Sequence, residues 1–251
     1  MKLTILGSGT CVPSGERNSS GYWVDAGAAR VRLDCGAGTV HAMARYGLPW
    51  ATLTHQYVSH FHIDHAGELA ALLFAFKYGR ATPRAEPLTL VGPEGLEFLL
   101  MGLVGQYRMK LLEQEFPLEL REMEPGEALD LGGGAVLRVG KTPHTAESLA
   151  VRIEAEGRSI GYTGDTAPSD DLVDFFAGVD VLVCETSFVD DARGTAHMTA
   201  DDVSSLATRA RAGHLVATHS YFDPDEARLA ERLSRGFSGR ITIAADGLVV
   251  E

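Results

Sequence analysis

Three histidines and one aspartate lie within six residues of one another, as His60, His62, Asp64 and His65. In an extended chain, alternate side chains lie on the same face, so His60 and His62 can both bind one cation. Asp64 and His65 come where the chain is predicted to pass from a strand into a helix, and they can reach a neighbouring cation. The spacing predicts two metal ions, which in hydrolytic sites lie ~3.5–4 Å apart. The alternative, a group of surface histidines, is disfavoured by the apolar residues on both sides.

Further residues of metal-ligating type follow later strands of the predicted sheet. His144 comes after the strand predicted at 135–139, Asp165 after 159–162, and His219 after 215–217. Strand ends that converge on one sheet edge would bring these side chains together with the first group, as a binuclear site. Imidazole and carboxylate ligands suit Zn²⁺, the cation we expect, and a set without thiolate would also accept Mn²⁺ or iron.

The length and charge limit the classes of protein to consider. A chain of 251 residues can bury about three quarters of its unfolded surface, and we expect one domain over residues 1–251. The formal charge of −12 stays negative after two divalent cations are added, which is the wrong sign for binding a long polyanion through many Lys and Arg contacts. Without a leader sequence or an apolar run of ~20 residues, we expect a cytoplasmic protein with no membrane segment.

Two predicted helices, at 68–78 and 95–112, are unusually apolar. They belong either to the ordinary core or to the interface of a homodimer, and the sequence leaves both interpretations open. The three cysteines are widely spaced, so a disulfide framework is not expected.

The order HxHxDH, followed by a distant histidine, aspartate and histidine, resembles the metallo-β-lactamase superfamily. Within that superfamily the chain is most similar to ribonuclease Z and its relatives, and the similarity runs nearly from end to end. The stretches that resemble it are LGSGTCVPSGERNSSG, LDCGAGT, YTGDTAP, ETSF, AHMTADD and IAADGLVVE. The resemblance implies an α/β fold, the αββα four-layer sandwich, and the activity of a metal-dependent hydrolase.

The resemblance also implies roles for the matching positions. The ligands of one metal would be His60, His62 and His144, those of the other Asp64, His65 and His219, and Asp165 would bridge the two. A water held between the cations would attack phosphorus as hydroxide, and Asp64 would orient or deprotonate it. The histidine of AHMT, His197, would be a catalytic acid that protonates the leaving oxygen.

Two further carboxylates have an open role. Glu185 is placed in the sequence to hold His197 in the right tautomer, and the alternative is a capping or surface glutamate. Asp34 either caps a helix or, as the resemblance favours, fixes a ligand histidine from behind.

Arg17 and Asn18 either meet a substrate phosphate or belong to a solvated loop.

The chain departs from the ribonuclease Z pattern in two places. The long arm that binds tRNA would have to lie between His144 and Asp165, where the sequence has room for one hairpin only. After His219 the chain reads SYFDPD, which is acidic where an arginine is expected. Both departures favour a small-molecule phosphodiester, such as a cyclic nucleotide, over tRNA.

Other activities stay open as alternatives. The same site would suit tRNA 3′ processing, or hydrolysis of a carboxylic ester, a lactone or a sulfate ester. A metal or redox sensor without turnover is disfavoured, because the ligand set is complete. In addition, His62 is a histidine at the position where members of the superfamily that reduce oxygen or nitric oxide commonly have a glutamate.

Overall fold

A computed structural model describes residues 1–79, 84–107, 109–191, 196–221 and 225–251. Fourteen strands of these residues form two sheets of seven strands each. In spatial order the first sheet is β14 (Val249–Val250), β1 (Lys2–Gly7), β2 (Gly21–Ala26), β3 (Ala29–Leu33), β4 (His55–Tyr57), β5 (Leu88–Pro93) and β6 (Leu118–Met123). The second is β13 (Arg240–Ile243), β12 (His214–Thr218), β11 (Val181–Glu185), β10 (Arg158–Tyr162), β9 (Leu149–Ala155), β8 (Ala135–Lys141) and β7 (Ala128–Gly132).

Helices cover the outer face of each sheet. Those on the first sheet are α1 (Thr39–Arg45), α2 (Ile63–Ala66), α3 (Leu69–Tyr78) and α4 (Leu96–Tyr107), with a short 3₁₀ turn at Trp50–Thr52. Those on the second are α5 (Asp170–Phe175), α6 (Ala200–Arg209) and α7 (Glu226–Gly236). None of the helices within the described ranges is long and apolar enough to cross a membrane.

The alternation of side chains along each strand builds three apolar layers. In β11, Val181 and Val183 point into the layer between the sheets, where they join Leu3 and Val31 of the first sheet. Leu182 and Cys184 of the same strand point outward and pack beneath α5, α6 and α7. Strands buried on both faces in this way need helices on both outer sides. The predicted αββα four-layer sandwich is therefore confirmed.

Parallel strands place the ends of several elements at one edge. β3, β4 and β5 are parallel to one another, as are β10, β11 and β12. At or just after the carboxyl ends of β3, β4, β10, β11 and β12 lie, respectively, Asp34, the 60–65 segment, Asp165, Glu185 and His219. The open edge beyond the carboxyl ends of the strands is where α/β proteins usually bind ligands.

The structure differs from the sequence prediction in three elements. β4 ends at Tyr57, so His60 and His62 lie in the loop after the strand and not on an extended strand. α4 ends at Tyr107 instead of residue 112, and Leu111 beyond it folds back into the core. β6 and β7 were not predicted, because their outward side chains are largely polar and charged.

Candidate metal centre

The first group of ligand atoms comes from three loops. His60 and His62 follow β4, His144 follows β8, and Asp165 follows β10. The Nε2 atom of His60 lies 3.0 Å from Nδ1 of His62, which in turn is 3.2 Å from Nε2 of His144. Oδ2 of Asp165 lies 3.8 Å from Nε2 of both His60 and His144. These four atoms converge within 4.8 Å of one another, a spacing suited to one cation.

A second group, next to the first, contains Asp64, His65 and His219. Nε2 of His65 and Nε2 of His219 are 3.3 Å apart, and Oδ2 of Asp64 lies 3.4 Å from the latter. Asp64 and His65 are in α2, whose first turn begins directly after His62, and His219 follows β12. All three side chains are buried. The two groups together contain every residue that the sequence predicted as a metal ligand.

Asp165 faces both groups. Its Oδ2 atom belongs to the first group, while Oδ1 lies 3.3 Å from Nε2 of His65 and 3.5 Å from Nε2 of His219. Oδ1 is buried and makes no hydrogen bond to any described residue. A buried carboxylate oxygen without a partner is costly, so its environment fits a cation on each side of the carboxylate. The donor set therefore fits two divalent metal ions.

The ionisation of these side chains also suits metal binding. Burial, together with the neighbouring His65, lowers the pKa of His60, and burial lowers that of His144, so both rings are neutral and their nitrogen lone pairs are available. Burial alone would raise the pKa of Asp165, but the nearby His219 and His65 hold it well below its usual range. The neutral rings of His60 and His144 and the ionised carboxylate of Asp165 are the forms that bind a divalent cation.

Asp34 lies behind the second group and holds His65. Oδ2 of Asp34 is 2.6 Å from Nδ1 of His65, and it also accepts hydrogen bonds from the hydroxyls of Ser59 (2.9 Å) and Tyr162 (2.6 Å). Burial alone would lower the pKa of His65, but the Asp165 and Asp34 carboxylates raise it well above its usual range. Such a contact fixes the ring and turns Nε2 towards the cation. Asp34 does not cap α1, whose N-cap is Gly38.

Glu185 and His197 are in contact at the edge of the centre. Nδ1 of His197 lies 2.9 Å from Oε1 of Glu185, which is almost completely buried at the end of β11. Burial alone would lower the pKa of His197, but its contact with Glu185 raises it. The His197 ring is half-buried, and its centroid lies 5.0 Å from that of His144. The structure thus brings the candidate acid and its predicted partner together beside the ligand groups.

Sequence reasoning missed the residues that link these parts. Ser187 donates its hydroxyl to Oε2 of Glu185 at 2.7 Å, and its oxygen lies 3.3 Å from Nδ1 of both His197 and His219. It is the serine of the ETSF stretch, where its place two residues after Glu185 was the available signal. Ser59 and Tyr162, which hold Asp34, carry no comparable signal.

Arg17 and Asn18 make contacts within the fold. Arg17 donates to the carbonyl of Ala244 at 2.5 Å and pairs with Glu226 at 2.7 Å. Asn18 donates its side-chain amide to the carbonyl of Leu6 at 2.9 Å. These contacts hold the 8–20 loop against β1, α7 and the residue after β13, so neither side chain needs a substrate phosphate to account for its place.

Comparisons with known proteins find relatives along most or all of the chain. A family model described as Anti-Pycsar protein Apyc1 matches residues 1–237. A ribonuclease Z of Halorubrum lacusprofundi is 30% identical over 307 aligned positions, which cover 100% of this chain and 97% of that protein. The crystal structure of the metallo-beta-lactamase fold protein YhfI from Bacillus subtilis superposes with a TM-score of 0.85 at 25% identity, covering 99% of this chain and 98% of the other. The short form of human tRNase Z shares the fold, with a TM-score of 0.82 at 22% identity over 100% and 99% of the two chains.

Proposed function

Because the chain belongs to the Anti-Pycsar protein Apyc1 family and to the ribonuclease Z-like metal-dependent hydrolases of the metallo-β-lactamase superfamily, we propose that it hydrolyses a small phosphodiester, such as a cyclic nucleotide. The proposal rests above all on one observation. Two groups of ligand atoms share Asp165. The ring of His197 lies beside them and is in contact with Glu185 through its Nδ1 atom. Hydrolysis of a phosphodiester needs both charge neutralisation at phosphorus and a proton for the leaving oxygen.

Each of the two groups of ligand atoms would bind one metal ion. One cation would be held by His60, His62 and His144, the other by Asp64, His65 and His219, and both by Asp165. Zn²⁺ suits these ligands best, and Mn²⁺ or iron would also be accepted. When bound, the two cations would neutralise charge on the phosphate oxygens and activate a water molecule.

Residues of the chain would supply the proton transfers. Asp64 lies among the second ligand group, where its carboxylate can accept a hydrogen bond from the attacking water and orient it. His197 would donate a proton to the leaving alkoxide, since its contact with Glu185 favours the protonated ring. Glu185 would act as a positioning residue, because it touches His197 and not the reacting atoms.

Three observations support a small substrate. The residues between His144 and Asp165 form one hairpin, β9 and β10, with no protruding arm. The alignment with the Halorubrum relative covers 307 positions and all 251 residues of this chain, so that relative contains segments that this chain lacks. The formal charge is −12. A long polyanion would therefore be repelled by the net charge of the protein and would have no arm to hold it.

Ribonuclease Z activity is the second candidate, and the names of the curated relatives favour it. A turnover panel with the Zn²⁺ and Mn²⁺ forms separates the candidates. It contains bis(p-nitrophenyl) phosphate, cyclic nucleotides, a precursor tRNA, a lactone and an aryl sulfate. We expect cyclic nucleotides to be the best substrates. Preferred cleavage of the tRNA would replace the proposal by the second candidate, and turnover of only the lactone or sulfate would reject both.

We also propose that the protein forms a homodimer through α3 and α4. Large apolar side chains on and beside these helices are exposed, among them Phe74, Tyr78, Phe98, Met101 and Tyr107. Large apolar patches on a protein surface usually mark an interface, and we propose that these side chains form one.

A single domain over residues 1–251 and a cytoplasmic location stay predictions. One cooperative unfolding transition and cell fractionation, respectively, would test them.

A further inference from the structure

Two aromatic rings lie stacked beside the candidate metal centre. The rings of Phe188 and Tyr221 are parallel to within 5°, with their centroids 5.4 Å apart. Phe188 ends the ETSF stretch that begins with Glu185, and Tyr221 comes two residues after His219. The backbone N–H of Tyr221 donates to the carbonyl of Ser187 at 3.1 Å, which holds the two segments side by side. The pair is thus built on the same segments as the acid's partner and a ligand.

The pair borders the candidate acid. The centroid of Tyr221 lies 5.8 Å from that of His197 and 5.8 Å from that of His219, with both histidines roughly perpendicular to the phenol ring. Phe188 meets His197 edge to face at 6.3 Å. The pair therefore contacts both the candidate acid and a proposed metal ligand.

The pair does not belong to the apolar core. Both side chains are half-buried, whereas the neighbouring tyrosines between the sheets, Tyr22 and Tyr162, whose rings are tilted by 52°, are buried. None of the three apolar layers of described residues includes Phe188 or Tyr221. Packing of the fold therefore accounts only in part for two aromatic rings at the rim of a polar site.

We propose that the Phe188–Tyr221 pair binds the nucleobase of the substrate by stacking. This inference rests on the proposed phosphodiesterase function. Since His197 gives its proton to the leaving oxygen, the leaving group lies on the side of His197, which is the side of the aromatic pair. In a cyclic nucleotide the leaving oxygen belongs to the ribose, which carries the base.

The chemistry of the pair suits this ligand. Every nucleobase has an aromatic face, so stacking binds purines and pyrimidines without reading a sequence of hydrogen bonds. Stacking also needs no cationic side chain, which agrees with the negative net charge of the chain. The pair would hold the base while the metal ligands hold the phosphate, and the two contacts together would fix the direction of the leaving oxygen.

Kinetics with substitutions at the two rings test the inference. The variants are Phe188→Leu and Tyr221→Leu, with Phe188→Tyr and Tyr221→Phe as controls that keep the ring. Tyr221→Phe also removes the hydroxyl that lies 3.7 Å from the sulfur of Cys11, and so isolates that contact. The substrates are a purine and a pyrimidine 3′,5′-cyclic nucleotide and the cyclic ribose phosphate that lacks a base.

The leucine variants are expected to lose about 10–100-fold in kcat/KM on both nucleotides, mainly through KM, since that is the usual effect of removing a stacking partner. The ring-keeping variants should stay near wild type, and turnover of the base-free substrate should be unchanged in all four. Metal content and thermal midpoint are measured for each variant to establish that the centre is intact. Equal losses on the base-free substrate, or no loss on the nucleotides, would overturn the inference.

The same assay separates this inference from the function on which it rests. If the wild type cleaves the base-free phosphate as well as it cleaves the nucleotides, the phosphodiesterase proposal stands and base binding is rejected. If the wild type cleaves none of the phosphodiesters, both proposals fail.

Discussion

Replacing Glu185 by glutamine tests the acid directly. The carboxylate is only 1% exposed, and its two oxygens accept from different sets of donors. Oε1 faces Nδ1 of His197 at 2.9 Å and the backbone N–H of Thr166 at 2.9 Å. Oε2 faces the hydroxyl of Ser187 at 2.7 Å and the backbone N–H groups of Ser187 and Met198 at 3.2 and 3.3 Å. Glutamine keeps the shape but offers an acceptor on one side only.

The expected losses of stability and of activity follow from this missing acceptor. Whichever way the amide of Glu185→Gln turns, its NH₂ group meets donors, and each buried donor left without an acceptor costs about 1–3 kcal/mol. We expect the free energy of unfolding to fall by about 2 kcal/mol. General acid catalysis contributes about 10²–10⁴-fold, of which the variant loses the part that depends on the charge and orientation of His197. A loss of about 10–100-fold in kcat is therefore expected when the leaving group needs a proton.

The choice of leaving group makes the assay specific. A cyclic nucleotide expels an alkoxide, whereas bis(p-nitrophenyl) phosphate expels p-nitrophenolate, which leaves without a proton. The variant should be slow on the first substrate and within about threefold of wild type on the second. Glu185 raises the pKa of His197, so the acid is protonated below that pKa and is lost as the pH rises through it. The variant should therefore move the alkaline limb of kcat to lower pH.

An exposed glutamate provides the matched control. Glu231→Gln on α7 removes one partner of a surface ion pair with Arg235 and should leave the kinetics unchanged. Equal losses on both substrates of the Glu185 variant would mean that the substitution disturbs the metal centre. An unchanged rate on the cyclic nucleotide would remove Glu185, and its effect on His197, from the mechanism.

Three further predictions concern the metals and the assembly. Elemental analysis should find two metal ions per chain, and Asp165→Ala should reduce that number to one or none, whereas a full complement in the variant would refute the bridging role. Asp34→Asn should weaken metal binding about 10–100-fold, because it loosens the hold on His65. Calorimetric titration measures the affinity, and an unchanged value would contradict the role of Asp34. Phe98→Glu and Tyr78→Glu should convert a dimer into monomers in light scattering without loss of helix content, and a wild type that is already monomeric would reject the interface.

Much of the candidate site is visible in the sequence because each ligand follows a strand. Strand ends at the carboxyl edge of a sheet are the places where polar side chains converge, and histidines clustered in pairs are rare enough to stand out. Thr199 is similar, because a threonine followed three residues later by an aspartate is a local pattern, and the capping box of α6 contains both hydrogen bonds. Local patterns of this kind need no knowledge of the packing.

The remaining parts depend on contacts between distant segments. Tyr162 reaches Asp34 across 128 residues of sequence, and this contact exists only because the two sheets face each other. The strands β6 and β7 could not be recognised from apolar alternation, since much of their surface is exposed. The end of α4 was placed too late because the apolar residues beyond Tyr107, such as Leu111, enter the core from a turn and keep the composition of a helix.

The acid is held by contacts within the protein chain. His197 lies two residues before Thr199, which pairs with Phe188 in a parallel bridge and caps α6. Nδ1 of His197 lies 2.9 Å from Glu185, and the hydroxyl of Ser187 lies 3.3 Å from Nδ1 of both His197 and the ligand His219. The contact of His197 with Glu185 is thus made by groups of the chain alone. Chelation of the metals should leave the environment of His197 nearly unchanged while it abolishes turnover, and NMR spectra of the His197 ring in the chelated protein would show whether the acid is preorganised in this way.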